Sequence, residues 1–133
     1  MIRFFSAIWG ADYRAAFLEA SLPTQMAPRN IPALCATTPC RYDIYMSESD
    51  HQAIEHAPII DRLAGHMPVT LHVLHDSSFR PYKYTVLKDL HTFALEESSQ
   101  NDVLVPIYPD ILFSDGVLAQ ATDRKFKCPC TST

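Results

Sequence analysis

Four short apolar segments, each followed by a polar turn and then by residues at helical spacing, constrain this chain more than any other feature. The first, residues 2–9, reads Ile-Arg-Phe-Phe-Ser-Ala-Ile-Trp and carries apolar side chains at both odd and even positions. Neither face is reserved for solvent, which is the pattern of a strand paired in parallel and covered on both sides. Residues 41–46, Val69–Leu74 and residues 103–108 repeat the theme, with Val69, Leu71 and Val73 on one face of the third strand.

The intervening stretches read as helices and loops. Gly10 ends the first strand, Asp12 can cap the next segment, and Tyr13, Ala16, Phe17 and Ala20 predict an amphipathic helix over residues 12–21, stopped by Pro23. Residues 22–39 hold Pro23, Pro28, Pro32 and Pro39 and read as a long loop with one helical turn near residues 31–34. Ser47, Ser49 or Asp50 can cap a helix containing His51, Ala53, Ile54 and Ala57. Pro58 breaks it, and Ile59, Ile60 and Leu63 suggest a second piece closed by Gly65. Val86, Leu87, Leu90, Phe93 and Ala94 give the strongest helix signal, and Ser114 or Asp115 can cap a last helix over residues 116–121. The order β-α-β-α-β-α-β-α predicts an α/β fold, a Rossmann-like, mostly parallel sheet of about four strands with helices on both faces. Residues 1–123 form its single domain and residues 124–133 an irregular tail.

Composition narrows the function classes. A chain of 133 residues suits one domain, which at this size buries roughly two-thirds of its unfolded surface. The net charge is −4, and apart from Arg124-Lys125-Phe126-Lys127 no basic run occurs, so nucleic acid is not an expected partner. No apolar stretch reaches the roughly 20 residues of a membrane span. The start lacks an apolar core followed by a small-residue cleavage site, so a cytoplasmic location is the default expectation. Cys35, Cys40, Cys128 and Cys130 could form a four-sulfur zinc site, but the Cys128-Pro129-Cys130 pair is tighter than zinc pairs usually are, and reduced thiols are the plainer reading. With three glycines the chain has no Gly-rich phosphate cradle and no Gly-x-Ser-x-Gly elbow, which disfavours dinucleotide dehydrogenases, P-loop enzymes and α/β hydrolases.

Ligands of open parallel sheets bind beyond the carboxyl ends of the strands. Those ends are Trp9-Gly10 with Asp12, Ser47-Glu48, His75-Asp76 and Pro109-Asp110, and all turn from apolar to polar at one edge. Any soluble parallel sheet ends in polar loops, so the convergence alone leaves a site and a plain rim equally open. Of the six histidines, His72 reads as a packed strand residue and His75 as a site candidate.

Two patches resemble bacterial glycosyltransferases of the GT-A type. Phe5-Ser6-Ala7-Ile8-Trp9-Gly10-Ala11-Asp12-Tyr13, with Ala16-Phe17-Leu18 and Leu22-Pro23-Thr24-Gln25, is similar to their opening, and Pro109-Asp110-Ile111-Leu112-Phe113-Ser114-Asp115-Gly116 to the end of their fourth strand. The resemblance spans roughly residues 4–122. It implies a UDP- or GDP-linked sugar nucleotide as partner, its base held by Ile8, Trp9, Gly10 and Tyr13, with Lys83, Tyr84 and Lys88 facing the donor. His75 joins the candidate nucleotide-sugar-binding set from the strand rim. The family's Asp-x-Asp metal motif falls on Tyr108 and Asp110, so Asp110 alone remains as ligand to a divalent cofactor, Mn²⁺ or Mg²⁺. For Lys83 and Lys88 a solvated helix face is the plainer reading, and for Asp115 a helix cap.

The family places acceptor binding and any catalytic base after the metal strand, and this chain ends soon after it, as a truncated domain would. Two functions from different classes are expected: a sugar-nucleotide-binding glycosyltransferase domain incomplete for catalysis, or a non-catalytic remnant or binding module of the same fold. A zinc-stabilised interaction domain is a third. An exposed sheet edge would favour self-association.

Overall fold

The computed structural model describes residues 1–75 and 101–123 and, between them, Thr92, Leu95, Glu96 and Ser99. All seven residues of β1, Ile2–Ile8, are buried, as apolar side chains at both parities require. The strand lies inside the sheet, paired in parallel with β2, Cys40–Ser47, on one side and with β4, Val103–Pro106, on the other. Strand β3, Val69–Leu74, pairs in parallel with β2, so the four-stranded order is β3-β2-β1-β4. The α/β, parallel-sheet class expected from the alternation is therefore the class observed.

Register sorts the side chains into two faces. Ile2, Phe4 and Ile8 align with Cys40, Tyr42 and Met46 and form one cluster with Phe17, Leu22, Ile31, Leu34, Ile54, Leu63 and Leu118 from the helices. Phe5, Ala7 and Tyr45 form a separate cluster with Trp9, Leu74 and Leu104. Arg3, Arg41, Asp43 and His72 share this second face by strand alternation.

The helices depart from expectation in ways proline and asparagine explain. The first does not stop at Pro23. It runs as α1, Ala11–Ala16, a π-helical turn, Phe17–Ser21, and α2, Leu22–Gln25, with Pro23 near the start of α2. A proline inside a helix lacks an N–H and crowds the carbonyl four residues back. The widened turn just before it supplies the change of hydrogen-bond register that relieves both. Gly10, not Asp12, occupies the position before α1, and Asp12 lies in the first turn.

Helix α3, Ile31–Thr37, extends the helical turn expected near residues 31–34 within the loop, since Pro32 at the start of a helix costs no hydrogen bond. Helix α4, Glu48–Glu55, comes directly after Ser47, and α5, Pro58–Ala64, begins at the proline expected to break the pattern. Gly65 ends α5 with an ordinary right-handed φ of −70°, not the left-handed closure its position suggested. Helix α6 covers Val117–Asp123. Its cap is not Asp115, which instead accepts from the Arg29 N–H at 2.9 Å. Asn30, fully buried, reaches across and accepts through Oδ1 from the N–H groups of Gly116 and Leu118, both at 3.1 Å. Its Nδ2 donates to the carbonyls of Thr24 at 2.8 Å and Ser114 at 3.1 Å. The helix expected at Val86, Leu87, Leu90, Phe93 and Ala94 and the tail of residues 124–133 lie outside the described residues.

Candidate functional site at the carboxyl rim of the sheet

Strands β1, β2 and β3 are laid down in one direction, and β4 returns to the other side of β1. The order reverses between β1 and β4, and in open parallel sheets the crevice at such a reversal is where ligands bind. The sequence does not contain this information directly, because nothing in it says which strand β4 will join.

On the β1 side, Ile8 is fully buried, Trp9 is half-buried and Gly10 turns outward. Gly10 adopts φ 90°, ψ 150°, a region open essentially to glycine alone. The turn is pinned by Asp50, whose side chain is almost wholly inaccessible. Its Oδ2 accepts from the Gly10 N–H at 2.8 Å and from the Ser47 hydroxyl at 2.6 Å, and its Oδ1 accepts from Arg14 Nη1 at 2.8 Å. One carboxylate thus ties the β1–α1 turn, α1 and the end of β2 together. It lies in the first turn of α4, where the helix dipole favours an anion. The Trp9 and Tyr13 rings approach to 6.5 Å between centroids at a 49° tilt, so an aromatic pair stands at the mouth.

On the β4 side, the Ile107 N–H donates to Phe5 O at 2.8 Å. Pro106 is aligned with Phe5, so in a continued ladder the next N–H owed to β1 would come from position 109 and meet Ala7 O. Pro109 has none to give, and β4 ends at Pro106, short of the expected residue 108. Ser6, Ala7, Ile107, Tyr108 and Pro109 line a small cavity where the strands part, and the Ser6 hydroxyl, 1 % exposed, has no hydrogen-bond partner among the described residues. Tyr108 and Asp110 are exposed at its lip, and the Ile111 N–H donates to Tyr108 O at 3.2 Å to close the turn.

The structure therefore gathers Ile8, Trp9, Gly10 and Tyr13 at the carboxyl end of β1, and β4 beside it leads through residues 107–109 to Asp110. His75 stands apart. It comes directly after β3, three strands from β4, which at strand spacing is about 14 Å, and its Nε2 lies 3.7 Å from Glu48 Oε1. Lys83, Tyr84 and Lys88 lie outside the described residues. Among the described residues no three His, Cys, Asp or Glu side chains converge as a metal site. A cation on Asp110 would draw its remaining oxygen ligands from phosphate and water, a mode Mg²⁺ commonly adopts.

Behind the rim, the second face buries a charge cluster that sequence reasoning missed. Asp43, 2 % exposed, sits with Arg41 Nη2 at 3.0 Å and His72 Nε2 at 2.9 Å from Oδ1, and Arg3 Nη2 at 3.4 Å from Oδ2. The His72 ring stacks on Tyr45 at 4.5 Å between centroids. Burial pushes the Asp43 carboxyl up, but hydrogen bonds from His72 and Arg41 and their charges outweigh it and hold the group below its ordinary value. The signal is present in the sequence: Arg3 and Asp43 interrupt otherwise apolar strands, and a charge there must be paired. Asp50 reads from sequence only as one of three possible caps, though Ser47-x-x-Asp50 is the spacing of a capping box.

Among the described residues no helix is long and apolar enough to cross a membrane. No family model, no curated protein and no solved structure matches the chain.

Proposed function

We propose that the rim between β1 and β4 binds the nucleotide diphosphate of a sugar nucleotide, and that the chain is a GT-A-like glycosyltransferase domain. One observation supports the reading: of the two patches that resemble that family, far apart in sequence, the first covers the carboxyl end of β1 and the second begins just beyond the carboxyl end of β4, the adjacent parallel strand, where strand order reverses. In this reading the Trp9–Tyr13 pair and the Gly10 turn receive the base. Asp110 holds Mn²⁺ or Mg²⁺ against the diphosphate, where the metal's chemistry is to neutralise the leaving group. Lys83, Tyr84 and Lys88 meet the donor, a phosphate being a natural partner for a lysine ammonium.

Thermal melting with UDP or GDP, each with and without Mn²⁺, tests this. Binding to the folded state raises the midpoint with ligand concentration. The expected result is a metal-dependent rise that Asp110→Ala abolishes while leaving the ligand-free midpoint within about a degree, as befits an exposed side chain. Unchanged midpoints with every nucleotide and metal would sink the proposal.

The single carboxylate at the metal position favours a second reading, a binding module of the same fold that transfers nothing. Nucleotide-dependent stabilisation without hydrolysis or transfer of the sugar, followed by chromatography of the donor, would select it. We also propose that the outer edge of β4 pairs with a second copy. Val103, 49 % exposed, and Tyr108, 46 % exposed, flank backbone groups paired on one side only among the described strands. Light scattering showing a monomer at high concentration would overturn this.

A further inference from the structure

On its β2 side β1 is paired to its last residue, Ile8 with Met46, whereas on its β4 side the register stops at Phe5 and Pro106. In a parallel ladder alternate residues of a strand turn both backbone groups toward the same neighbour. Phe5 faces β4, since its carbonyl accepts from the Ile107 N–H, and Ala7 two residues on faces β4 as well. The strands part there. Pro109 brings no N–H to the Ala7 carbonyl, and the Tyr108 carbonyl is taken by the Ile111 N–H. Phe5, Ser6 and Ala7 on one strand and residues 106–109 on the other line the resulting cavity. It measures about 10 Å³, the room one water molecule needs and far too little for a base, a sugar or a phosphate. Ser6 shares its face of β1 with Ile2, Phe4 and Ile8 by strand alternation and is the one polar residue of that set. Its hydroxyl is 1 % exposed and has no hydrogen-bond partner among the described residues. A hydroxyl buried that deeply is costly to leave unpaired, and ordered water satisfies such groups where protein atoms do not reach them.

We propose that this cavity is a binding site for a single ordered water, which bridges the Ser6 hydroxyl to the Ala7 carbonyl in place of the β1–β4 rung that Pro109 cannot form. The Ser6 O–H donates to the water oxygen, and the water donates one of its own hydrogens to the Ala7 carbonyl. Two protein partners meet the minimum for a buried water. A water-mediated bridge is enthalpically close to a direct hydrogen bond, so residues 107–109 can leave β1 without stranding its polar atoms. The bridge stands between the two strands where their order reverses, and it fixes where the crevice of the rim begins. Neither metal nor nucleotide takes part in it, so the site is independent of the sugar-nucleotide reading.

The test is a crystal structure of the full chain at a resolution that shows ordered water, with Ser6→Ala as its partner. The expected result is one water peak about 2.8 Å from both Ser6 Oγ and the Ala7 carbonyl oxygen, absent from Ser6→Ala. Thermal melting reads the same site in solution through the sign of the change. Removing one partner of a satisfied bridge destabilises, whereas removing a buried hydroxyl that had no partner is neutral or stabilising. Ser6→Ala should therefore melt below the parent by on the order of 3 °C, with an unchanged far-ultraviolet circular dichroism spectrum. Three outcomes would overturn the proposal. The first is density at the noise level between Ala7 and Pro109. The second is Ser6 Oγ donating directly to a backbone carbonyl. The third is Ser6→Ala melting at or above the parent. A peak at the shorter distances of a metal ion, roughly 2.0–2.6 Å from its oxygens, would equally refute it.

Discussion

The two faces of this one sheet are buried by opposite means. On the first, Phe4 and Tyr42 stack at 5.6 Å between centroids, and Phe17 meets Tyr42 edge-on at 6.4 Å. The cluster around them is apolar apart from Tyr42, whose hydroxyl donates to Gln25 Oε1 at 2.8 Å. On the second, the same strands present Asp43 among Arg3, Arg41 and His72, with Phe5, Ala7 and Tyr45 beside them. The first face gains by removing apolar area from water. The second must offset the desolvation of its charges by pairing them. Equal burial therefore does not mean equal sensitivity: the first face should fail through cavities, the second through broken pairs and through acid.

The largest effect is expected on the first face. Phe4→Ala removes a fully buried ring and should cost about 4 kcal/mol through lost transfer energy and the cavity left behind. Chemical denaturation should show a lower midpoint at an unchanged slope. A cost below that of a surface substitution would mean that the face is loosely packed.

On the second face, Asp43→Ala leaves guanidinium groups facing a vacated anion site and should cost about 3 kcal/mol, because breaking a buried pair strands the surviving charge. The comparison sharpens in the double variant Arg3→Met/Asp43→Leu, which removes charge of both signs and should recover most of that loss. If the double variant is no better than the single, the cluster acts through something other than charge pairing.

Acid separates the faces further. The folded Asp43 carboxyl lies below its reference value of 3.8, so its contribution is full above that pH and is lost as pH falls through the lower folded value. The parent should lose stability from about pH 4 downward more steeply than Asp43→Asn, whereas Phe4→Ala should keep the parent's slope. Unfolding free energies measured between pH 5 and 2 decide it, and parallel curves for parent and Asp43→Asn would remove Asp43 from the account.

Asp50 gives a smaller and more local test. Asp50→Ala frees the Gly10 N–H, Arg14 and Ser47 at once, and should cost about 2 kcal/mol, the scale of lost hydrogen bonds to a charged group. Trp9 is the chain's single tryptophan and sits beside the Gly10 turn, so its emission should shift red while the far-ultraviolet spectrum stays unchanged. An unshifted emission would show that the turn holds its shape without the carboxylate.

Much of the fold was legible because it rests on local patterns. Val69–Leu74 declared itself through Val69, Leu71 and Val73 on one face, and Pro58, expected as a break, sits where α5 begins. What escaped reading depends on partners distant in sequence. Pro23 looked like a stop because its tolerance comes from the π turn before it. Residues 31–37 looked like a loop with a single helical turn near residues 31–34 because their helix is held against a core the pattern of Pro28, Pro32 and Pro39 does not reveal. At the candidate site, the residues at each strand end were legible but their neighbours were not. Only the strand order puts β4, which leads to Asp110, beside β1, which leads to Trp9, and β3, which leads to His75, at the opposite edge of the sheet.

Asn30 supplies the smallest predicted effect and the control for the rest. It is a fully buried polar side chain belonging to the helices of the apolar face, yet it carries no charge. Its amide caps α6 from 86 residues away in sequence, taking the Gly116 N–H, while Gly116 itself adopts φ 98° to bring that N–H into line. Asn30→Ala leaves two helix-terminal N–H groups without their acceptor and should cost about 1.5 kcal/mol, within the range of lost helix caps. Asn30→Asp keeps the acceptor but gives up the donations to Thr24 O and Ser114 O, placing a charge against two carbonyls, so it should rescue at most part of the loss. If Asn30→Ala proved as damaging as Asp43→Ala, charge would not be what distinguishes the faces, and the depth of burial alone would govern how each polar group is held.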